Sequence, residues 1–168
     1  MSVGQQSARR YWVFAACALT LTGCSHFQRS TRVDRLLLFL SPAASNSGGT
    51  RTLDGFSGTL YCYRREQAKS IPIQDGQLEF QVYGGVLSGA PTTGDSAESH
   101  TPSQVLRYDA SELRDREVVF PIGVAYKFSN VRWDTAAVPA GDVTIVACFV
   151  STSGETVRTQ GATLTAPK

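Results

Sequence analysis

The chain has four cysteines and two histidines. These are the residues that could most readily serve as nucleophiles, bases or metal ligands. His26 and His100 stand apart, and neither has a second ligand at the spacing of a zinc site. A serine hydrolase needs a base beside its nucleophile, and the run GFSG at 55–58 is not the Gly-x-Ser-x-Gly pattern. No phosphate-binding Gly-x-x-x-x-Gly-Lys-Ser/Thr loop occurs. We therefore predict no catalytic site, no metal and no cofactor.

The first residues form a three-part segment typical of a cleaved export signal. Residues 1–10 are polar and end in Arg9-Arg10, and residues 11–21 (YWVFAACALTL) carry no charge. A bilayer-spanning helix needs roughly 20 apolar residues, and this run is much shorter. The pattern predicts a signal peptide over residues 1–23 rather than a membrane span, and Cys17 would leave with it.

The tetrapeptide LTGC at 21–24 closes this segment. It resembles the lipobox of bacterial lipoproteins, in which an aliphatic residue and two small residues precede a cysteine. The resemblance implies cleavage before Cys24 and lipidation of its thiol, and two or more acyl chains would anchor the chain stably. It also implies a cell-envelope address, on the periplasmic or extracellular side, and neutral Ser25 favours an outer membrane where one exists. The alternative is a secretory signal with an incidental cysteine.

After the signal, the sequence predicts a lipidated tether over residues 24–32 and one domain over 33–168. A flexible eight-residue linker has an r.m.s. reach of about 15 Å, which would hold the domain close to the membrane. The whole chain has 16 Lys+Arg and 14 Asp+Glu. Loss of Arg9 and Arg10 would balance these charges, and no basic stripe of the kind that binds nucleic acid is visible along the sequence. Nucleic acid is therefore not an expected partner.

Cys62 and Cys148 remain in the predicted domain, each within an apolar strand-like run. Export would place them in an oxidising compartment, where disulfides persist. We predict a disulfide between them that closes a long loop. The alternative is two buried free thiols that pack as small apolar groups.

From Leu36 onward, short apolar runs alternate with turn residues, which predicts an all-β fold. We expect a single antiparallel β-sandwich, immunoglobulin-like or transthyretin-like, of about 7–8 strands. The predicted strands cover residues 36–40, 59–64, 70–73, 78–82, 104–108, 118–128, 143–150 and 156–164. Asp75-Gly76 predicts a hairpin between the third and fourth of them, and Asp109 with Glu112 predicts a capped helical turn.

The order of these features resembles that of uncharacterised envelope lipoproteins of planctomycete-type bacteria. The shared features are the apolar first strand, Asp54-Gly55 before the run GTLY at 58–61, the capped turn at 109–113, and PAGDVT at 139–144. The resemblance implies a sandwich fold and an envelope address, and it implies no particular reaction.

Aromatic residues are the candidate ligand-binding groups. If Leu60 and Cys62 face the core, Tyr61 and Tyr63 face outward together, because side chains alternate along a strand. With Trp133 beside them they would suit a sugar ring or a partner protein. The alternative has the two tyrosines covering a second apolar layer and Trp133 filling the core. We predict a non-enzymatic, lipid-anchored envelope protein that binds or scaffolds, with a carbohydrate- or small-ligand-binding module as the alternative.

Overall fold

The computed structural model describes residues 32–47, 50–87 and 101–166. These residues form nine β-strands and one short α-helix. In chain order they are β1 (Arg35–Ser47), β2 (Thr50–Tyr63), β3 (Gln77–Gly84), β4 (Gln104–Asp109), α1 (Ala110–Arg114), β5 (Glu117–Phe120), β6 (Gly123–Arg132), β7 (Val143–Val150), β8 (Thr156–Arg158) and β9 (Ala162–Leu164). The predicted signal peptide, Cys24, His26, His100, Gly48-Gly49 and most of the predicted tether lie outside the described residues.

Two antiparallel sheets pack face to face and confirm the predicted β-sandwich. The first sheet has the order β1-β2-β6-β5, and the second has the order β4-β3-β7-β8, with β9 also paired to β7. This is the strand order of an immunoglobulin sandwich, with β4 as an added strand beside β3. Hydrophobic side chains from both inner faces form one core cluster between the sheets.

Aromatic rings fill the centre of this core. Phe80 on β3 is fully buried, and its ring centroid lies 5.1 Å from that of Phe56 on β2 and 4.8 Å from that of Phe128 on β6. Both contacts are edge-to-face, the geometry that aromatic quadrupoles favour. Phe80 therefore joins the second sheet to two strands of the first.

Tyr126 supplies the core with a buried hydrogen-bonding group. Its hydroxyl oxygen accepts a hydrogen bond from the backbone N–H of Ile73 at 2.5 Å, and its hydroxyl lies 3.4 Å from Oε1 of Glu117. Burial raises the pKa of the phenol well above its usual value. The neutral hydroxyl satisfies a backbone donor that would otherwise be buried without a partner.

The predicted hairpin at Asp75-Gly76 is wrong. Residues 71–76 form no strand, and Ser70 makes only an isolated parallel bridge to Gly123. Pro72 has no N–H to contribute to a ladder, and Ile71 donates its N–H to the carbonyl of Cys62 instead. Strand β3 pairs with β4 and β7.

The predicted long strand 118–128 is divided in two. Pro121 and Ile122 form a turn between β5 and β6, and Gly123 after it has a φ of 117°. The last predicted strand is likewise two short strands, β8 and β9, and the described residues therefore contain nine strands, where about 7–8 were predicted.

The predicted helical turn is confirmed. The Asp109 carboxylate accepts the backbone N–H groups of Ser111 and Glu112, at 2.8 and 2.9 Å, and the Glu112 side chain accepts the N–H of Asp109 at 2.9 Å. This reciprocal arrangement is a capping box. It starts α1, whose Leu113 side chain enters the core.

Candidate binding surface

The outer face of the first sheet carries a group of apolar side chains that points away from the core. Strand β1 alternates, so that Leu36, Leu38 and Leu40 face inward, while Leu37 and Phe39 face outward. Leu37 and Phe39 keep 43% and 56% of their surface exposed. A continuous apolar run does not by itself reveal which of its faces is solvated, so the sequence predicted an apolar first strand without showing that one face of it is exposed.

Register places aromatic residues from β2 and β5 beside these two. Arg35 lies opposite Tyr63 and Leu37 opposite Tyr61, and Tyr61 lies opposite Ala125 on β6. The side chains that form this surface, called the aromatic face below, are Leu37, Phe39, Tyr61, Tyr63 and Phe120.

Tyr61 is at the centre of the aromatic face. Its ring centroid lies 6.1 Å from that of Phe39 in an edge-on contact, 6.4 Å from that of Tyr63 in a stacked contact, and 6.2 Å from that of Phe120. The rings hold each other in place, and Ala125 beneath them is fully buried. Packing of this kind restricts the rotamers of the rings, and side chains that are already restricted lose less entropy when a ligand binds.

Two cations flank the aromatic face. The Arg35 guanidinium lies 4.9 Å from the centroid of the Tyr63 ring, and the Lys127 ammonium lies 5.9 Å from that of Phe120. Both are within cation–π distance. Because Arg35 and Tyr61 pack against Tyr63, which is only 9% exposed, the side chains left to meet a ligand are chiefly Leu37, Phe39 and Tyr61.

A shallow groove of about 410 Å³ runs beside Phe39 between β1, β2 and β6. Its polar walls are supplied by Ser41, Ser57, Thr59 and Ser129, and Gly58 forms part of its floor. A Cβ on Gly58 would lie 2.7 Å from the carbonyl oxygen of Phe39. The missing side chain thus lets β1 and β2 approach closely and keeps the groove open. Its hydroxyl groups and one aromatic edge could hold a polar chain or a sugar.

Trp133 does not belong to this surface: it lies in the core, which is the alternative that the sequence left open for it. It follows the end of β6 that pairs with Gly55, six residues along β2 from Tyr61. Its side chain is 5% exposed, and its ring stacks on that of Phe56 with centroids 6.5 Å apart. Val131 and Trp133 are two residues apart in an extended segment, so both side chains point to the same side, between the sheets.

The predicted disulfide is also wrong: Cys62 and Cys148 are both buried free thiols. They lie on β2 and β7, the strands that the inter-sheet bridge joins in antibody domains. Cys62 faces the core. On β7, however, Ala147 and Phe149 face the core, so Cys148 between them points to the outer face of the second sheet, opposite Glu79. Because side chains alternate along a strand, a shift of β7 by one residue would turn Cys148 from the outer face to the core face, where Cys62 lies.

Burial raises the pKa of both thiols, and for Cys148 the neighbouring Arg158 offsets part of this rise. The thiolate is the reactive form of cysteine. Both groups are therefore protonated at neutral pH and suit packing rather than nucleophilic chemistry.

Thiol labelling should distinguish these free thiols from a bridge. We expect slow labelling of Cys62 and Cys148 in the native protein at pH 7, and complete labelling of both in denaturant without reductant. Peptide mass spectrometry assigns the label to each position. Prior reduction, as the control, should add no label at either one; label that appears only after reduction would establish the disulfide.

Elsewhere in residues 32–47, 50–87 and 101–166, no group of three or more His, Cys, Asp and Glu side chains could hold a metal ion. In the same part of the chain, no helix is long and apolar enough to cross a membrane.

Comparison with known proteins returned no matching family model, no matching curated protein and no matching solved structure.

Proposed function

We propose that this chain is a lipid-anchored cell-envelope protein that binds a partner protein through its aromatic face. The anchor is supported by the sequence LTGC at 21–24, which ends an apolar segment of signal-peptide length. The seven residues from Ser25 to Thr31 would separate the lipid from the first residues of the sandwich. The domain would act within a short distance of the bilayer.

The binding role is carried by one observation: Leu37 and Phe39 expose large apolar side chains on an ordered, aromatic sheet face. Aromatic side chains and arginine are enriched in the cores of protein interfaces, where lysine and acidic groups are depleted. The aromatic face has this composition, with Arg35 and Lys127 at its margins. A flat surface built by two long strands suits another protein better than a small enclosed ligand.

Truncation of the aromatic face should weaken partner binding without unfolding the domain. We expect Phe39→Ala combined with Tyr61→Ala to lower affinity at least about 30-fold, since central aromatic residues often contribute 2 kcal/mol or more. Affinity can be measured on detergent-solubilised protein once a partner has been captured by the cross-linking described next. An unchanged dissociation constant in the double variant would contradict the proposal.

Photocross-linking tests the same surface in the membrane. A benzophenone amino acid at position 39 should form an adduct with a specific protein on illumination, and the same group at position 119 should not. Val119 is the matched control, because it is 81% exposed on the same sheet. It alternates with Phe120 along β5, so its side chain points away from the aromatic face. Equal adducts from both positions, or none from position 39, would count against partner binding by the aromatic face.

A glycan is the second candidate ligand. It is favoured by the groove next to Phe39, in which the hydroxyls of Ser41, Ser57 and Thr59 lie beside an aromatic ring. Binding on a glycan array that falls in Phe39→Ala and Thr59→Ala variants, which change two residues lining this groove, would support it. Array binding that these substitutions leave unchanged would remove this candidate.

A further inference from the structure

Four arginines that are distant in the sequence meet at one end of the sandwich. Arg32 and Arg35 lie at the start of β1, and Arg64 and Arg65 directly follow β2. Because β1 and β2 are antiparallel, with Arg35 opposite Tyr63, the beginning of one strand lies beside the end of the other. In the sequence these are two separate pairs of basic residues, and the fold brings them together at one end of the sandwich.

These arginines line two adjoining depressions, called the arginine groove below. One has a volume of about 410 Å³ and is lined by Asp34, Arg35, Arg64, Arg65 and Gln67. The other, of about 470 Å³, shares most of these residues and adds Arg32 and Glu66. The groove is open to solvent and lies on the side of the domain where the chain enters from its N-terminal segment.

Of the two acidic side chains that line the groove, Asp34 is held in contacts at its edge, whereas Glu66 is exposed and forms no ion pair within the described residues. The Asp34 carboxylate pairs with Nε of Arg32 at 3.0 Å and accepts the backbone N–H of Arg65 at 3.0 Å. Arg32 also lies 3.7 Å from Glu155. Within the described ranges, Arg35, Arg64 and Arg65 have no carboxylate within ion-pair distance. Three guanidinium groups thus remain available to an anion.

Guanidinium groups recognise phosphate through paired, charge-assisted hydrogen bonds. We propose that the arginine groove binds the phosphate of an anionic phospholipid headgroup in the membrane that holds the chain. This inference rests on the proposed anchor at Cys24, because seven intervening residues span at most about 25 Å. At that distance the groove is within reach of the headgroup layer.

Headgroup binding would also orient the domain. Phe39 lies four residues beyond Arg35 on β1, roughly 13 Å along the strand. With the arginine groove on the bilayer, the aromatic face would lie above the headgroup layer and face along the membrane plane. A membrane-associated partner could reach it there. Arg35 connects the two surfaces, because its guanidinium lies on the Tyr63 ring.

The test uses the full chain purified in a non-ionic detergent. Its melting temperature is followed while micelles containing phosphatidylglycerol, micelles containing phosphatidylcholine, or inorganic phosphate are added. A ligand that binds only the folded state stabilises it by RT ln(1 + [L]/Kd), so the rise in melting temperature at several ligand concentrations gives the dissociation constant. The test variant is Arg64→Gln with Arg65→Gln. The control, Arg107→Gln with Arg132→Gln, removes the same charge from two ion pairs elsewhere on the sandwich, in which the arginines are exposed and the carboxylates half-buried.

We expect phosphatidylglycerol to stabilise the wild-type chain and the control variant, and phosphatidylcholine to have no effect. Each basic residue near an anionic surface strengthens binding on the order of fivefold. The Arg64/Arg65 variant should therefore bind phosphatidylglycerol about 25-fold more weakly, and added salt should weaken binding in the wild type.

Equal losses in both double variants would overturn the proposal, because binding would then depend only on total charge. Inorganic phosphate that stabilises the chain as strongly as phosphatidylglycerol would replace the lipid by a soluble phosphate ligand. The readout does not depend on acylation of Cys24. A failed anchor and a failed groove therefore give different results, the first in membrane fractionation and the second in the melting temperature.

Discussion

Replacing Phe80 by alanine should lower the free energy of unfolding by about 3–5 kcal/mol, a large part of the stability of a domain this size. Phe80 is fully buried, and its ring contacts those of Phe56, Tyr108 and Phe128. Truncation would leave a cavity where β3 and β4 of one sheet meet β2 and β6 of the other, and strands held in two sheets cannot easily close it. Urea denaturation, monitored by circular dichroism, measures the change.

Phe39→Ala is the matched control, because it removes the same atoms from a ring that is 56% exposed. We expect a loss below about 1 kcal/mol for this variant. A small loss at Phe39 would also show that this side chain contributes little to folding, as a binding residue should. Similar losses at both positions would contradict the division between core and aromatic face.

Gly123→Ala should be the second strongly destabilising change and should lower the free energy of unfolding by about 3 kcal/mol or more, because backbone strain and a steric clash add. Gly123 has a φ of 117°, which side chains with a Cβ rarely adopt. A Cβ there would lie 2.3 Å from the carbonyl oxygen of Ser70. Relief of that clash would separate Ser70 from the turn, where its N–H and hydroxyl both donate to the carbonyl of Ile122.

Gly141→Ala separates the two causes. Gly141 has a φ of 125°, and a Cβ added there would meet no atom within 4 Å. This variant should therefore lose only the cost of backbone strain, roughly 1–2 kcal/mol. Thermal or urea unfolding measures the loss of unfolding free energy in each variant. Equal losses would mean that the close approach of Gly123 to Ser70 does not contribute to the cost of the substitution.

Much of the fold could be predicted because period-two alternation and turn residues are local signals. The capping box at Asp109 and the apolar strand 143–150 needed only neighbouring residues to be recognised. The hairpin at Asp75-Gly76 failed because its turn dipeptide was compatible with a different long-range pairing, in which β3 lies between β4 and β7. Strand order depends on contacts that no short segment contains.

The aromatic face was only half visible in the sequence. The outward alternation of Tyr61 and Tyr63 followed from β2 alone, but Phe39 and Phe120 join them through pairing across the sheet. The alternation of β1 against β2 was the signal that could have identified Phe39. The sequence left both a surface and a core position open for Trp133, because it does not reveal how far apart two aromatic residues lie along the strands of the fold.

For the two cysteines, the sequence could not show which way a single side chain points. Export and apolar surroundings both favoured a disulfide, and the two strands are the appropriate ones. The outcome depends on which face of β7 carries Cys148, and that face is set by the pairing of β7 with β3.

Membrane fractionation of the Cys24→Ala variant tests the proposed anchor most directly. The wild-type chain should sediment with membranes, resist extraction by high salt and enter the detergent phase. The variant should lose this partition almost completely, because the arginine groove alone supplies only a weak, salt-sensitive attraction. A Cys17→Ala variant is the control and should behave as the wild type. Persistence of Cys24→Ala in the salt-washed membrane fraction would contradict lipid anchorage.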